Sequence, residues 1–217
     1  MEVLRNQGIP EDFYYMMLCE SAVRNLTSPA GAKGYWQFLD KTARQYGLQV
    51  DLFVDERLNP MNSTLAACNY LKDARQLFGN WTLVAASYNM GMSGLQNNIS
   101  AQKAYTYYDL YLNAETSRYV FRIIALKLIM NNPEKYGFKV SASDLYNTFP
   151  CRTLNVTGPI FDLVGFAKEN GTSYKTLRNL NPWLINTSLP AKGNRKYEIV
   201  IPARNSSEAT LQAGIVE

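Results

Sequence analysis

Three short segments in the first half of the chain combine polar and aromatic residues in a pattern that packing alone does not explain. The first is Glu20-Ser21, at the end of an apolar helical stretch. The second is the aromatic run of residues 34–38, and the third is Ser87-Tyr88-Asn89. Each segment alone has a structural explanation. Together they offer one carboxyl group for acid–base chemistry, beside amides, hydroxyls and aromatic rings of the kind that stack on sugars or bases but also fill cores.

The absence of histidine from the 217 residues narrows the possible chemistry. It excludes Ser–His–Asp and Cys–His triads, histidine-ligated zinc and histidine general bases. Hydrolytic chemistry must then use carboxylates, hydroxyls or amides. The formal net charge of +4 is spread evenly and forms no basic block, so we expect no nucleic-acid partner. We also expect no metal and no other cofactor.

The cysteines and the apolar stretches indicate neither a metal motif nor a membrane span. Cys19, Cys68 and Cys151 are too widely spaced for a CxxC motif. One disulfide plus one free thiol stays open, but we favour three buried free thiols. No signal segment or membrane-spanning stretch is visible, so we expect any membrane association to depend on a segment absent from this chain.

The patterning predicts a helical first part followed by a small mixed module. The predicted helices of the first part are 10–22, 40–47, 63–79, 80–90, a short one from 93, and 115–130. The last of these is apolar on nearly all sides, which is typical of a central, buried helix. The predicted elements of the module are strand 152–156, helices 160–169 and 173–180, and strand 197–201. We expect domains at 1–142 and 150–204, and a loose tail at 205–217.

In order and spacing, the three segments resemble the lytic transglycosylases of the goose-type-lysozyme-like superfamily, in the branch of membrane-bound lytic murein transglycosylase D. That family carries Glu-Ser, then Ser-Pro-x-Gly-Ala-x-Gly-Leu-Met-Gln, Ala-Tyr-Asn-x-Gly and Glu-Thr-x-x-Tyr-Val. The corresponding motifs here are Glu20-Ser21 and residues 28–37, 87–91 and 115–120. The resemblance covers roughly residues 7–130. It implies a mainly α, lysozyme-like α+β catalytic domain.

The resemblance implies that Glu20 is the catalytic group. It would act first as acid and then as base on the β-1,4 bond between N-acetylmuramic acid and N-acetylglucosamine, leaving a 1,6-anhydro end. We expect its pKa to be raised, because apolar neighbours disfavour the charged form. The residues implied for sugar contact are Ser28, Gly34, Tyr35, Trp36, Gln37, Tyr88, Asn89 and Tyr119. Glu115 is a second carboxylate, for which a purely structural role at the start of a helix remains an alternative.

Residues 151–202 resemble a LysM domain, a small α+β module with βααβ order that binds N-acetylglucosamine polymers. The matching text includes Ile160-Phe161-Asp162-Leu163 and Tyr197-Glu198-Ile199. The usual Gly-Asp-Thr-Leu of the first loop is replaced by residues 157–160, Thr-Gly-Pro-Ile. A degenerate module that only packs on the catalytic domain is therefore the alternative to a glycan-binding one.

Taken together, these patterns predict a peptidoglycan lytic transglycosylase, a lyase similar to glycoside hydrolase family 23. We expect a monomer that acts on peptidoglycan strands in the cell envelope, periplasmic or associated with the outer membrane. Two alternatives stay open. One is a goose-type-like muramidase that uses water as acceptor, and the other is a non-catalytic glycan-binding protein of the cell wall.

Overall fold

The chain folds into two units, which a computed structural model describes for residues 1–146 and 149–203. The first unit contains residues 1–48 and 60–139. The second contains residues 49–59 and the described residues from 140 onward. The tail predicted at 205–217 lies outside the described residues. The helical fold class of the first part and the small two-stranded module that follows it are both confirmed.

The first unit is built from α-helices joined by turns and by longer loops. Its helices are α1 (Glu2–Asn6), α2 (Phe13–Ser21), α3 (Asp40–Gln45), α4 (Pro60–Phe78), α5 (Trp81–Met90), α6 (Met92–Gln102) and α7 (Thr116–Asn131). Caps define several boundaries. Asn80, for example, accepts the Leu83 backbone N–H at 2.9 Å and starts α5. Helix α5 is central, because it packs against α4, α6 and α7.

Helix α7 differs from the sequence prediction. We expected it to be buried on nearly all sides, but only one face is buried, through Thr116, Tyr119, Val120 and Ile123. Phe121 is 55% exposed, and other apolar side chains of this helix are also exposed. The buried face packs against α2 and α5. The apolar composition of α7 therefore overstated its burial, because composition does not show how many neighbours surround a helix.

The second unit has a two-stranded antiparallel sheet and two short helices. Strand β1 (Cys151–Val156) pairs with β2 (Tyr197–Pro202), and α8 (Leu163–Glu169) and α9 (Tyr174–Leu180) lie between them in sequence. The order is βααβ, as expected. Helix α8 begins three residues later than predicted, because Ile160 instead forms a β-bridge with Leu189. The fully buried core side chains include Leu163, Leu177, Leu184, Leu189, Ile199 and Ile201.

Residues 49–59 lie inside the range that we expected to form the first domain, yet their contacts are with the second unit. Val54 is fully buried in the core of that unit and forms a β-bridge with Leu184. The Ile185 N–H donates to the Phe53 carbonyl at 3.0 Å. The Tyr197 hydroxyl donates to the Gln49 side-chain oxygen at 3.0 Å. A segment from the first part of the sequence thus completes the core of the C-terminal module.

The cysteines are free thiols, of which only Cys68 is buried. The expectation of three buried thiols is therefore wrong for Cys151, which is exposed on β1, and for the half-buried Cys19. In the described residues, no helix combines the length and the apolar composition that crossing a membrane requires. Over the same residues, side chains that could ligate a metal do not gather in groups of three or more.

Candidate active site

Glu20 lies in the last turn of α2 and is held by a tyrosine from α7. The Tyr119 hydroxyl donates a short hydrogen bond to Glu20 Oε1. The Tyr119 ring is only 2% exposed, so the packing of α7 fixes the donor in place. The structure therefore brings together the predicted acid and one of the predicted sugar-contact residues, although 98 residues separate them in the sequence.

Helices α2 and α7 run antiparallel, and contacts at both ends define their register. Near the start of α2, Asp12 pairs with Lys127 at 2.6 Å. Farther along, the Tyr15 hydroxyl donates to the Asn131 side-chain oxygen at 2.9 Å. The Glu20–Tyr119 hydrogen bond holds the opposite end. Because these contacts span α2, the carboxyl of Glu20 has a defined position relative to α7.

The surroundings of Glu20 favour its protonated form. Burial is the largest influence and raises the pKa of Glu20 above its usual value. The hydrogen bond from Tyr119 and the positive charge of Arg122 lower the pKa, whereas the negative charge of Glu115 raises it. The net shift is upward. A carboxyl group with a raised pKa is suited to donate a proton near neutral pH.

The chain turns sharply after Glu20, and Ser21 secures this turn. The Ser21 hydroxyl is buried and donates to the Tyr35 carbonyl at 2.8 Å. Ala22 and Val23 follow with φ values of 51° and 58°, in the left-handed region that residues other than glycine rarely adopt. Ser21 therefore links the end of α2 to the aromatic segment 34–38. Its position next to Glu20 in the motif is explained by this structural role.

The loop of residues 27–38 is held mainly by its own hydrogen bonds. The Ser28 hydroxyl accepts the Ala32 N–H at 3.1 Å, within the loop itself. Gly34 has a φ of 79°, which favours glycine, and is buried. Gln37 has a φ of 49°, and its side-chain amide donates to the carbonyls of Gly34 at 2.8 Å and of Leu26 at 3.1 Å. The side-chain nitrogen of Gln37 thus holds the loop in shape through these two hydrogen bonds.

Trp36 does not fit the sugar-contact role that the motif implied. Its ring is 1% exposed, and its indole N–H donates to the Thr64 hydroxyl at 2.9 Å. The Trp36 carbonyl accepts the Tyr88 hydroxyl at 2.7 Å. Trp36 is therefore a core residue that positions Tyr88. The neighbouring Tyr35 is partly exposed, and burial raises the pKa of its hydroxyl.

Asn89 and Glu115 form a hydrogen-bonded network at the start of α7. The Asn89 amide donates to Glu115 Oε1 at 2.9 Å. The Thr116 hydroxyl donates to the Asn89 side-chain oxygen at 2.7 Å. Asn113 in turn accepts the backbone N–H of Glu115 and of Thr116, at 3.0 Å and 2.9 Å. Two partners therefore orient the Asn89 amide, and the charge of Glu115 reaches Glu20.

Sequence reasoning missed Arg122 and Thr116. Arg122 lies three residues after Tyr119, so it follows one turn later on the same side of α7. Its charge acts on both Glu20 and Cys19. Arg122 could have been found from its spacing of three residues from Tyr119. Thr116 could have been found from its place beside Glu115 in the last motif.

Two apolar clefts in the first unit lie beside this site but do not include Glu20. One, of about 200 Å³, is lined by residues of α1, α2 and α4, among them Met17, and by Trp36 of the loop. The other, of about 180 Å³, is lined by Phe13, Trp81 and Val120 among others. Glu20 lines neither of these clefts, and the carboxyl group of Asp12, which lines the second, pairs with Lys127.

Comparison with known proteins assigns both parts of the chain. A family model described as transglycosylase SLT domain matches residues 3–110. A second, described as soluble lytic transglycosylase C-terminal LysM-like domain, matches residues 152–205. Membrane-bound lytic murein transglycosylase D of Escherichia coli is 27% identical over 211 residues, in strain K12 and in strain O6:H1. The match covers 94% of this chain and 46% of each relative, so the chain spans about half the length of these relatives.

Proposed function

The chain consists of a transglycosylase SLT domain followed by a LysM-like domain and is homologous to murein transglycosylase D, and from this premise we propose that it is a peptidoglycan lytic transglycosylase. The observation that supports the proposal best is the environment of Glu20. This carboxyl is held by the buried Tyr119, and burial raises its pKa. A protonated carboxyl at a fixed position is what a general acid requires.

In the proposed mechanism Glu20 first donates a proton and then accepts a different one. Protonated Glu20 donates to the oxygen of the bond between N-acetylmuramic acid and N-acetylglucosamine, and the C1–O4 bond breaks. The oxygen of the substrate's own N-acetyl group stabilises the positive charge that develops at C1. The Glu20 carboxylate then accepts the proton of the C6 hydroxyl while O6 bonds to C1. The 1,6-anhydro ring closes, no water is consumed, and Glu20 is again protonated.

The proposed mechanism uses a single carboxylate, and the network of Asn89 gives the neighbouring Glu115 a different role. Most glycosidases place a second carboxylate as nucleophile or base. Here Glu115 accepts a hydrogen bond from Asn89, which gives it a positioning role. We assign Asn89 to the sugar's hydroxyl or N-acetyl groups, because Thr116 and Glu115 orient its amide and leave one N–H and one lone pair. Ser28, Tyr35 and Gln37 are assigned to sugar contact on the motif, while Gly34 and Tyr88 shape the site.

We assign to the second unit a part in holding the glycan strand. Phe161, in the segment between β1 and α8, is 86% exposed and offers an aromatic face to a sugar ring. The alternative, a module with only a structural role, is favoured by a different observation, the insertion of Val54 into its core. Binding of N-acetylglucosamine oligomers to Phe161→Ala compared with the unmodified protein separates these two roles.

The proposed substrate, peptidoglycan, also implies a location for the protein. We propose that it acts as a monomer on peptidoglycan strands in the cell envelope, in the periplasm or at the outer membrane. Attachment to a membrane would depend on a segment other than the described helices, none of which can span one.

Replacing Glu20 by glutamine tests the proposal. Glutamine keeps the acceptor for Tyr119 but cannot donate the catalytic proton, so we expect a folded protein that releases no product from purified sacculi. Glu134→Gln is the matched control, because Glu134 is an exposed carboxyl in the same unit. Full cleavage by Glu20→Gln would refute the assignment.

Mass spectrometry of the products separates the proposed reaction from the two alternatives. Anhydro ends are lighter by one water molecule than the reducing ends that a muramidase leaves. Reducing muramic acid ends would establish hydrolysis on the same fold. Strand binding without any turnover by the unmodified protein would instead establish a glycan-binding protein.

A further inference from the structure

Arg122 has no role in the fold or in the proposed mechanism described so far, although its positive charge lies near the proposed catalytic carboxyl of Glu20. It lies on α7 between Tyr119, which holds Glu20, and Lys127, which pairs with Asp12. Because α2 and α7 are antiparallel in this register, position 122 lies alongside the last turns of α2. The charge of Arg122 acts on Cys19 and on Glu20, the last but one residue of that helix.

Within residues 1–146 and 149–203, the guanidinium of Arg122 has no hydrogen-bond or ion-pair partner, and the residue is exposed. Lys127, on the same helix, does have a carboxylate partner in Asp12. An arginine presents several N–H donors in a fixed planar arrangement that matches a carboxylate. Its place beside the acid, without a protein carboxylate, indicates a partner that comes with the substrate.

We propose that Arg122 binds a carboxylate on the lactyl side branch of the muramic acid whose bond is cleaved. This inference rests on the proposed function, because it takes a muramic acid strand as the substrate. The lactyl group ends either in its own carboxylate or in a peptide that carries carboxylates. Both sources present the same chemistry to the guanidinium. N-acetylglucosamine has no such branch, so the contact would distinguish the two sugars and set the register of the strand.

The contact also affects the acid itself. In the free protein the positive charge of Arg122 lowers the pKa of Glu20, which opposes the protonated state that the first step needs. A bound carboxylate offsets this charge, so substrate binding would raise the pKa of Glu20 at the moment of reaction. The other groups that act on Glu20 are Tyr119 and Glu115 from α7, Tyr88 from α5 and Cys19 from α2. None of these other groups is a cation.

The test compares Arg122→Gln and Arg122→Lys with the unmodified protein. Arg118→Gln is the matched control, because Arg118 is an exposed arginine on the same helix that does not act on Glu20. Three strand preparations serve as probes. The first carries intact peptides, the second has its peptides removed so that the lactyl carboxylate is free, and the third is the second with that carboxylate converted to an amide.

We expect Arg122→Gln to raise KM about tenfold on strands that carry a carboxylate, the effect of losing a charge-assisted hydrogen bond. We expect Arg122→Lys to lose part of this affinity and Arg118→Gln to lose none. On the amide strands Arg122→Gln should match the unmodified protein. A loss on peptide-bearing strands alone identifies a peptide carboxylate, a loss on peptide-free strands alone identifies the lactyl carboxylate, and a loss on both shows that either carboxylate is bound. An equal loss on amide strands, or no loss on any strand, overturns the proposal.

The pH profile gives a second readout, which reports the charge of Arg122 near Glu20. Loss of the positive charge raises the pKa of Glu20 in the free protein, so the basic limb of kcat/KM should move to higher pH in Arg122→Gln. Strand binding measured in the Glu20→Gln background supplies a readout that does not need turnover. If the unmodified protein does not cleave, the proposed function fails, yet equal binding with and without Arg122 would still refute this inference by itself.

Discussion

Replacing Arg195 by methionine should destabilise the second unit, because it removes a cation that pairs with a buried carboxylate. Glu56 is 3% exposed, and both of its carboxylate oxygens lie 2.6 Å from the same Arg195 nitrogen. Methionine keeps much of the apolar stem and removes the charge. Since Glu56 comes from the segment 49–59, the variant tests whether that segment is part of the module.

The magnitude follows from burial on the two sides of the pair. Removing one partner of a fully buried ion pair costs about 3–5 kcal/mol. The Arg195 side chain is 35% exposed, so water weakens the interaction, and the Gln49 N–H at 2.6 Å continues to bind Glu56. We therefore expect a loss of about 2 kcal/mol in the free energy of unfolding of this unit.

Hydrogen exchange of the β2 amides, followed by mass spectrometry, measures this loss in the second unit alone. Lys196→Met is the matched control, because Lys196 is an exposed cation next to Arg195. The double variant Glu56→Gln/Arg195→Met should lose less than the sum of the two single variants, since the two residues interact directly. If the β2 amides exchange at equal rates in Arg195→Met and Lys196→Met, the ion pair between Arg195 and Glu56 does not hold residues 49–59 in this unit.

Two further predictions concern the pH range of activity. In the proposed mechanism activity requires protonated Glu20, so it is lost as pH rises through the pKa of Glu20. In Tyr119→Phe, loss of the hydrogen bond that lowers the pKa of Glu20 should move the basic limb of kcat/KM to higher pH. In Glu115→Gln, loss of the negative charge that raises this pKa should move the basic limb to lower pH, while the new amide oxygen can still accept from Asn89. Rate profiles over a pH series measure both shifts, and shifts of the same sign would contradict the assignment of charges around Glu20.

The sequence predicted those elements whose signals are local. The helices α4, α5 and α7 and the strand β2 were expected from spacing, caps and β-branched alternation, and they lie close to their predicted positions. Asn80, for example, was predicted as a helix cap and accepts the Leu83 N–H. These features depend on neighbours a few residues away, so a single sequence contains them.

The sequence did not predict features that depend on distant neighbours. Trp36 belongs to an aromatic motif, yet Thr64 and the surrounding core bury it. Phe121 is apolar but remains exposed, because α7 has partners on only one face. Val54 appears in the helical part of the sequence but packs in the other unit. In each case residue type is a poor guide to burial, since burial depends on which elements pack there.

By itself the sequence predicted which carboxyl group acts as the acid and the class of chemistry. A chain without histidine has carboxylates as its acid–base groups near neutral pH, and the motif around Glu20 identifies which carboxylate to expect. The tertiary structure decided how that acid is prepared. Burial and Glu115 raise its pKa, while Tyr119 and Arg122 oppose them. These influences come from residues about 100 positions away in sequence, and an electrostatic interaction depends on distance in space.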